Sequence, residues 1–167
     1  MNKKYLGIAL LSVIIVIGAG IVIANRPHYK VMAGELSVGT EFTISPCKVV
    51  AVNLRDGKTI TIPLTIKNNT DNEMVFSITE RIPDRLTEGY KSFVNNGVGL
   101  FITTDSLDFD NLIVAANSDK KINLYLLLEE GGILDGNYEA WVSVETAVKI
   151  PNYINTELCQ RILIEGR

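Results

Sequence analysis

The sequence predicts an all-β domain, an antiparallel sandwich of about seven to nine strands, carried behind one N-terminal transmembrane α-helix. Three observations lead there. Leu6 to Ala24 is a run of nineteen residues in which Ser12 is the only polar side chain. Thr59 to Lys67 alternates, with Ile60, Ile62, Leu64 and Ile66 on one face and Thr61 and Thr65 on the other, the period of a strand with one buried face. Short β-rich runs of this kind recur at spacings near 8 to 12 residues, separated by clusters of Gly, Pro, Asn and Asp.

The apolar run comes first. At about 1.5 Å per residue it is long enough, as a helix, to cross a hydrocarbon core of roughly 30 Å. Residues 1–5 form a short leader with Lys3 and Lys4 ahead of it. The run exceeds the 7 to 15 apolar residues of a usual cleaved signal, which favours a retained signal anchor over cleavage after Val22-Ile23-Ala24. The two lysines point the N-terminus to the cytoplasm and the domain to the other side, against a weaker opposing bias from Arg26 and Lys30. Gly18, Ala19 and Gly20 make a small-residue patch suited to packing against another membrane helix. Type IV pilins and archaeal filament subunits also begin with an apolar helix. Their processing motif places a charged residue and a Gly just before the run, whereas here Leu6 precedes Gly7 and Pro27 stops the helix early. A pilin-like filament subunit is therefore the more distant alternative.

Residues 25–34 read as a polar connector interrupted by Pro27, and residues 35–167 as one domain. Strands are expected at Thr40 to Ile44, Lys48 to Leu54, Thr59 to Lys67 and Met74 to Ile82, with turns at Arg55 to Lys58 and Asn68 to Glu73. Pro63 falls on the polar face of its strand, so its nitrogen should point away from a ladder partner, at an edge or a bulge. Asn68 with Thr70 forms the N-x-[ST] pattern, which a plain turn also explains. Pro83 to Gly97 is the longest irregular stretch, with room for a helical turn over Arg85 to Ser92, and it offers Tyr90 and Phe93 as interface candidates. Further strands follow at Val98 to Thr103, Leu112 to Ala115, Lys121 to Leu128, Asn137 to Val148 and Leu158 to Ile164. The last of these reads as an edge open to another chain, and Ile150, Tyr153 and Ile154 around Pro151 make an apolar loop tip suited to an interface.

Composition excludes more than it selects. All nineteen acidic residues lie from Glu35 onward, and residues 31–167 hold nineteen acidic against twelve basic side chains, a net charge of −7. That argues against nucleic acid as a partner, because phosphate binding needs a basic face. His28 is the only imidazole, which removes a His-based zinc site and a Ser-His-Asp triad together. Cys47 and Cys159 fit no metal-ligand spacing; they read as two buried thiols or as one disulfide closing a long loop. Asp105, Asp108 and Asp110 could offer oxygen ligands to Ca²⁺, but the stretch lacks the Gly and terminal Glu of an EF-hand loop, and a solvated turn explains it as well. No nucleophile has a base near it in sequence, so no enzyme activity and no cofactor are expected.

Ala115-Ala116-Asn117-Ser118-Asp119-Lys120-Lys121-Ile122-Asn123-Leu124, followed by Leu134-Asp135-Gly136-Asn137-Tyr138-Glu139-Ala140-Trp141-Val142, resembles the second half of Ig-like accessory domains in bacterial and archaeal surface proteins. Ile60 to Thr70 looks like their apolar strand and Asn-rich turn. The resemblance covers about Thr59 to Val148 and implies an Ig-like sandwich. Asp135-Gly136-x-Tyr138 before a strand is what a tyrosine corner needs, with the Tyr138 hydroxyl returned to a nearby backbone group. Ala140 stands where antibody-type domains carry their second Cys, so the usual inter-sheet disulfide is missing.

The expected function is therefore that of a single-pass membrane protein presenting an Ig-like domain outside the cytoplasm, as a structural or accessory subunit of a membrane complex, surface filament or envelope assembly. Its partners would be the membrane and other protein subunits. A surface module for a small ligand, glycan or calcium is the alternative.

Overall fold

The computed structural model describes residues 26–38, 41–94, 98–105, 111–146 and 157–166. The expected membrane helix, with Gly18 and Gly20, lies outside the described residues, among which no helix is long and apolar enough to cross a membrane. What is described is all β, in two sheets.

The five-stranded sheet runs in the order β2 (Leu36–Val38), β3 (Phe42–Ser45), β5 (Lys58–Asn68), β10 (Asp119–Leu128), β8 (Leu100–Thr104). The other sheet runs β1 (His28–Ala33), β4 (Lys48–Val52), β12 (Glu157–Ile164), β11 (Asn137–Thr146), β6 (Met74–Arg81), β9 (Leu112–Val114), with β7 (Tyr90–Ser92) also on β11. Pairing is antiparallel except β4 with β12 and β7 with β11. Every expected strand of the domain is present within a few residues. The inner faces supply one core: Ile60, Ile62, Leu64 and Ile66 of β5 and Ile122, Leu124, Leu126 and Leu128 of β10 face Phe76, Val142, Val144 and Ile162. Phe42 and Phe76 join the two sheets edge to face, with ring centroids 5.0 Å apart, a favoured aromatic geometry.

Turn chemistry sets the registers. Gly57 adopts φ 62° ahead of β5 and Asn117 φ 52° ahead of β10, left-handed positions that Gly and Asn tolerate best. Pro63 pairs with Asn123, whose own N–H and C=O are taken by Asp105 on the far side. The Pro63 nitrogen thus points to the side that β3, ending at Ser45 opposite Thr65, does not reach. Its carbonyl on that side accepts a hydrogen bond from Gln160 Nε2 at 3.3 Å, and the same nitrogen donates to Pro46 O at 2.6 Å.

Three expectations are corrected. Residues 25–34 are not a plain connector, because His28–Ala33 forms the edge strand β1 along β4. Arg85 to Ser92 contains no helical turn; it ends in β7, which lies beside β11 where β6 has stopped. The C-terminal strand is no open edge, since β12 is held between β4 and β11. Of the two readings of the cysteines, the structure has free thiols, each half-buried: Cys47 packs against the core, whereas Cys159 points outward in phase with Arg161, so the sheet separates them.

Candidate functional site

The polar chemistry of the domain is concentrated on the outer face of the larger sheet. Alternation along β11 sends Tyr138, Ala140, Val142 and Val144 inward and Glu139, Trp141, Ser143 and Glu145 outward. Trp141 sits between Arg81 of β6 and Arg161 of β12 in one cross-strand row, so three long side chains share a small surface. Arg161 stacks 5.3 Å from the Trp141 ring, a cation–π distance.

Glu139 is the centre of this face. It is 0 % exposed although it points away from the core, because the chain leaving β6 folds back over it. Its Oε2 accepts from the Thr87 backbone N–H at 2.6 Å, and its Oε1 accepts from Trp141 Nε1 at 2.8 Å and from Arg161 at 2.5 and 2.9 Å. Arg161 also donates to Thr87 Oγ1 at 2.9 Å. Burial pushes the Glu139 carboxyl up, but donors from Trp141, Thr87 and Arg161 more than offset it and hold its pKa at about 2. The result is an ionised carboxylate with both oxygens hydrogen-bonded, a clamp for the 82–92 segment.

A second network adjoins it. Glu157 accepts from Arg81, from Ser143 Oγ at 2.6 Å and from Cys159 Sγ at 3.2 Å. Burial raises the Glu157 carboxyl, and the bonds from Ser143, Arg81 and Cys159 bring its pKa below the usual value. Burial and then the Glu157 carboxylate push the Cys159 thiol up to about 12, the opposite of what a nucleophilic cysteine needs.

The predicted site residues divide accordingly. Tyr138 is buried as a corner tyrosine should be, but its hydroxyl goes to the Asp135 side chain and not to a backbone group. Asp135 is in turn paired with Lys91 Nζ at 2.8 Å, which lies 5.7 Å from the Tyr138 ring centroid. Phe93 is not an interface residue; it is 5 % exposed and part of the core, with its N–H on Glu139 O. Tyr90 is half-buried at the start of β7. Asp105 uses both carboxylate oxygens on Asn123, at 2.9 and 2.8 Å, and these bonds lower its pKa. Asp108, Asp110, Ile150, Tyr153 and Ile154 lie outside the described residues. Among the described residues no group of three or more His, Cys, Asp or Glu is placed to hold a metal ion. Asn68 is 0 % exposed with its amide in three hydrogen bonds, so its sequence pattern marks a turn.

The sequence analysis missed the Glu139–Arg161 pair. The alternation of β11 does place Glu139 outward, but the segment that buries it, at Thr87, lies 52 residues earlier in the chain and carries no periodic signal.

One further feature is a groove between the two sheets. Ile78, Thr79 and Glu80 of β6 face Ile102, Thr103 and Thr104 of β8 across a floor of Leu124 and Val142, enclosing about 240 Å³.

No protein-family model matches the chain. No curated protein matches it. Among solved structures, the ASH/PapD-like domain 7 of human CEP192 is similar with a TM-score of 0.53 at 13% identity, over 79% of this chain and 90% of that one. A chain of the chaperone–tip adhesin complex of CFA/I fimbriae gives 0.49 at 20% identity, over 76% of this chain, and the periplasmic chaperone SfaE 0.47 at 11%, over 75%. This chain spans 59% and 58% of the length of those two. The likeness to the CEP192 domain shows the fold, an Ig-like, PapD-like β-sandwich.

Proposed function

We propose that this protein is a non-catalytic, single-pass membrane protein that holds its Ig-like sandwich outside the cytoplasm as a structural or accessory subunit of a larger assembly. The observation that carries the reading is a spacing. Strand β1 begins at His28, four residues after the apolar run ends at Ala24. Four residue steps reach at most about 14 Å, so an anchor at Leu6–Ala24 fixes the sandwich directly above the bilayer. A domain that acts by position gains from such a mount, whereas one that must search for a diffusing substrate gains nothing from it. The internal commitment of the charged groups supports the same reading, because Glu139, Glu157 and Cys159 are engaged in clamping the fold.

The test is membrane fractionation of the full chain, followed by mild detergent extraction and sizing. Retention in alkali-washed membranes, cleavage of the domain by protease added on the non-cytoplasmic side, and a stoichiometric co-purifying subunit are expected. Release by alkali overturns the anchor, and a monomer without partner both with and without the apolar run overturns the accessory role.

A further inference from the structure

The groove between β6 and β8 has the character of a binding site, and its two rims say what would fill it. Strand β9 pairs with β6 only over Met74–Phe76. From Ser77 to Arg81 the second edge of β6 has no ladder partner among the described residues. An unpaired edge offers backbone donors and acceptors to any extended chain. Beneath that edge, Ile78, Leu124 and Val142 are buried and Ile102 is partly buried, so side chains entering from such a chain would meet apolar surface. At about 240 Å³ the space falls below the roughly 300 to 1,000 Å³ of pockets for drug-sized molecules, and suits side chains delivered by a strand.

Glu80 narrows the choice. Along β6 it is in phase with Met74, Phe76 and Ile78, which all face the core, but it lies past the buried part of the strand and is itself exposed, so a carboxylate on the inward register stands at the open mouth of the groove. It makes no hydrogen bond or ion pair with another described residue, in contrast to Glu139 and Glu157, and its partial burial raises its pKa. An inward charge on an edge strand repels ordinary apolar strands, and the same charge rewards one that brings a cation. A second copy docking through its own β6 would add another Glu80 to the same groove, which argues against self-pairing.

We propose that the Ser77–Arg81 edge of β6 docks an extended segment of a partner protein, adding a strand to the larger sheet, with a lysine or arginine beside Glu80 and an aliphatic residue two positions away over Ile78. The inference rests on reading the protein as an interaction domain and specifies where one partner binds and what that partner must carry.

The test uses the full chain in detergent micelles and two end-blocked peptides, Thr-Val-Thr-Lys-Thr-Val-Thr and its counterpart with Glu in place of Lys. The lysine peptide should slow amide hydrogen exchange over Ser77–Arg81. Its affinity should fall about tenfold or more in Glu80→Lys, and Glu80→Gln should erase the preference for lysine over glutamate. Unchanged exchange at Ser77–Arg81, or equal affinity for wild type and Glu80→Lys, overturns the site. Protection of the same amides on concentrating the protein alone assigns the groove to a second copy and likewise overturns it. A subunit that co-purifies equally with wild type and Glu80→Lys would leave the accessory role standing while removing this site. The absence of any subunit would remove that role without affecting the peptide titration.

Discussion

At the scale of single residues, the outer face of the larger sheet stores its stability in two carboxylates. Glu139 has a folded pKa of about 2 against an ordinary value of 4.5, so its contribution is complete above about pH 4.5 and is lost as the pH falls through about 2. Glu157 is shifted in the same direction and adds to the same acid limb. Glu139→Gln keeps the shape but removes the charge that Arg161 and the Thr87 N–H address. We expect it to cost about 2 to 3 kcal/mol at pH 7, read by urea unfolding, with the gap to wild type closing between pH 4 and pH 2. A gap independent of pH would mean that the pair is held by packing alone. Cys159 gives a second check. With its thiol pushed up to about 12, the folded protein should alkylate there at pH 8 at least about a hundredfold more slowly than the unfolded chain, measured by iodoacetamide labelling and peptide mass.

At the scale of elements, the turn after β5 shows how a buried amide joins distant segments. Asn68 Nδ2 donates to Asn72 O at 2.7 Å, Val114 O at 3.2 Å and Ala115 O at 3.0 Å, while its Oδ1 accepts from Thr70 N and Oγ1 at 2.9 and 2.7 Å. The turn, the end of β9 and the approach to β10 thus converge on one side chain. Asn68→Ala leaves those carbonyls without their donor and should cost about 2 to 3 kcal/mol, lowering the melting temperature by roughly 5 to 10 °C. Glu73→Ala, exposed in the same turn, should stay within about 0.5 kcal/mol of wild type. Elements of the two sheets were legible in proportion to their own periodicity. β5 alternates from Ile60 to Asn68 and β10 from Ile122 to Leu128, and their places in the chain follow from that pattern. The strands β1, β2 and β7 are three to six residues long, and their pairing is decided by neighbours far along the chain. Phe93 could not be placed for the same reason. An aromatic residue in an irregular stretch reads as exposed until the strand that covers it is known.

At the scale of the whole molecule, the position of β1 joins the sandwich to whatever precedes it. Its ladder runs from His28 opposite Val52 to Ala33 opposite Lys48, and β4 continues in parallel register into β12. A chain starting at Arg26 should therefore fold as the intact domain does. One starting at Glu35 loses the β1 ladder, exposes the β4 edge, and should be destabilised by about 2 kcal/mol or more with a tendency to aggregate. The same geometry tests whether position is the function. Ten Gly/Ser residues inserted between Ala24 and Asn25 leave every described contact in place, so thermal unfolding of the domain should be unchanged. They add a root-mean-square reach of about 17 Å between anchor and sandwich, more than the whole span now available. If the sandwich works by standing at a fixed height beside its neighbours, this insertion should reduce the co-purifying subunit severalfold while membrane retention is unaffected. Equal recovery of the subunit would show that the anchor only holds the protein at the membrane and that docking through the domain's own surface, the β6 edge included, is sufficient for assembly.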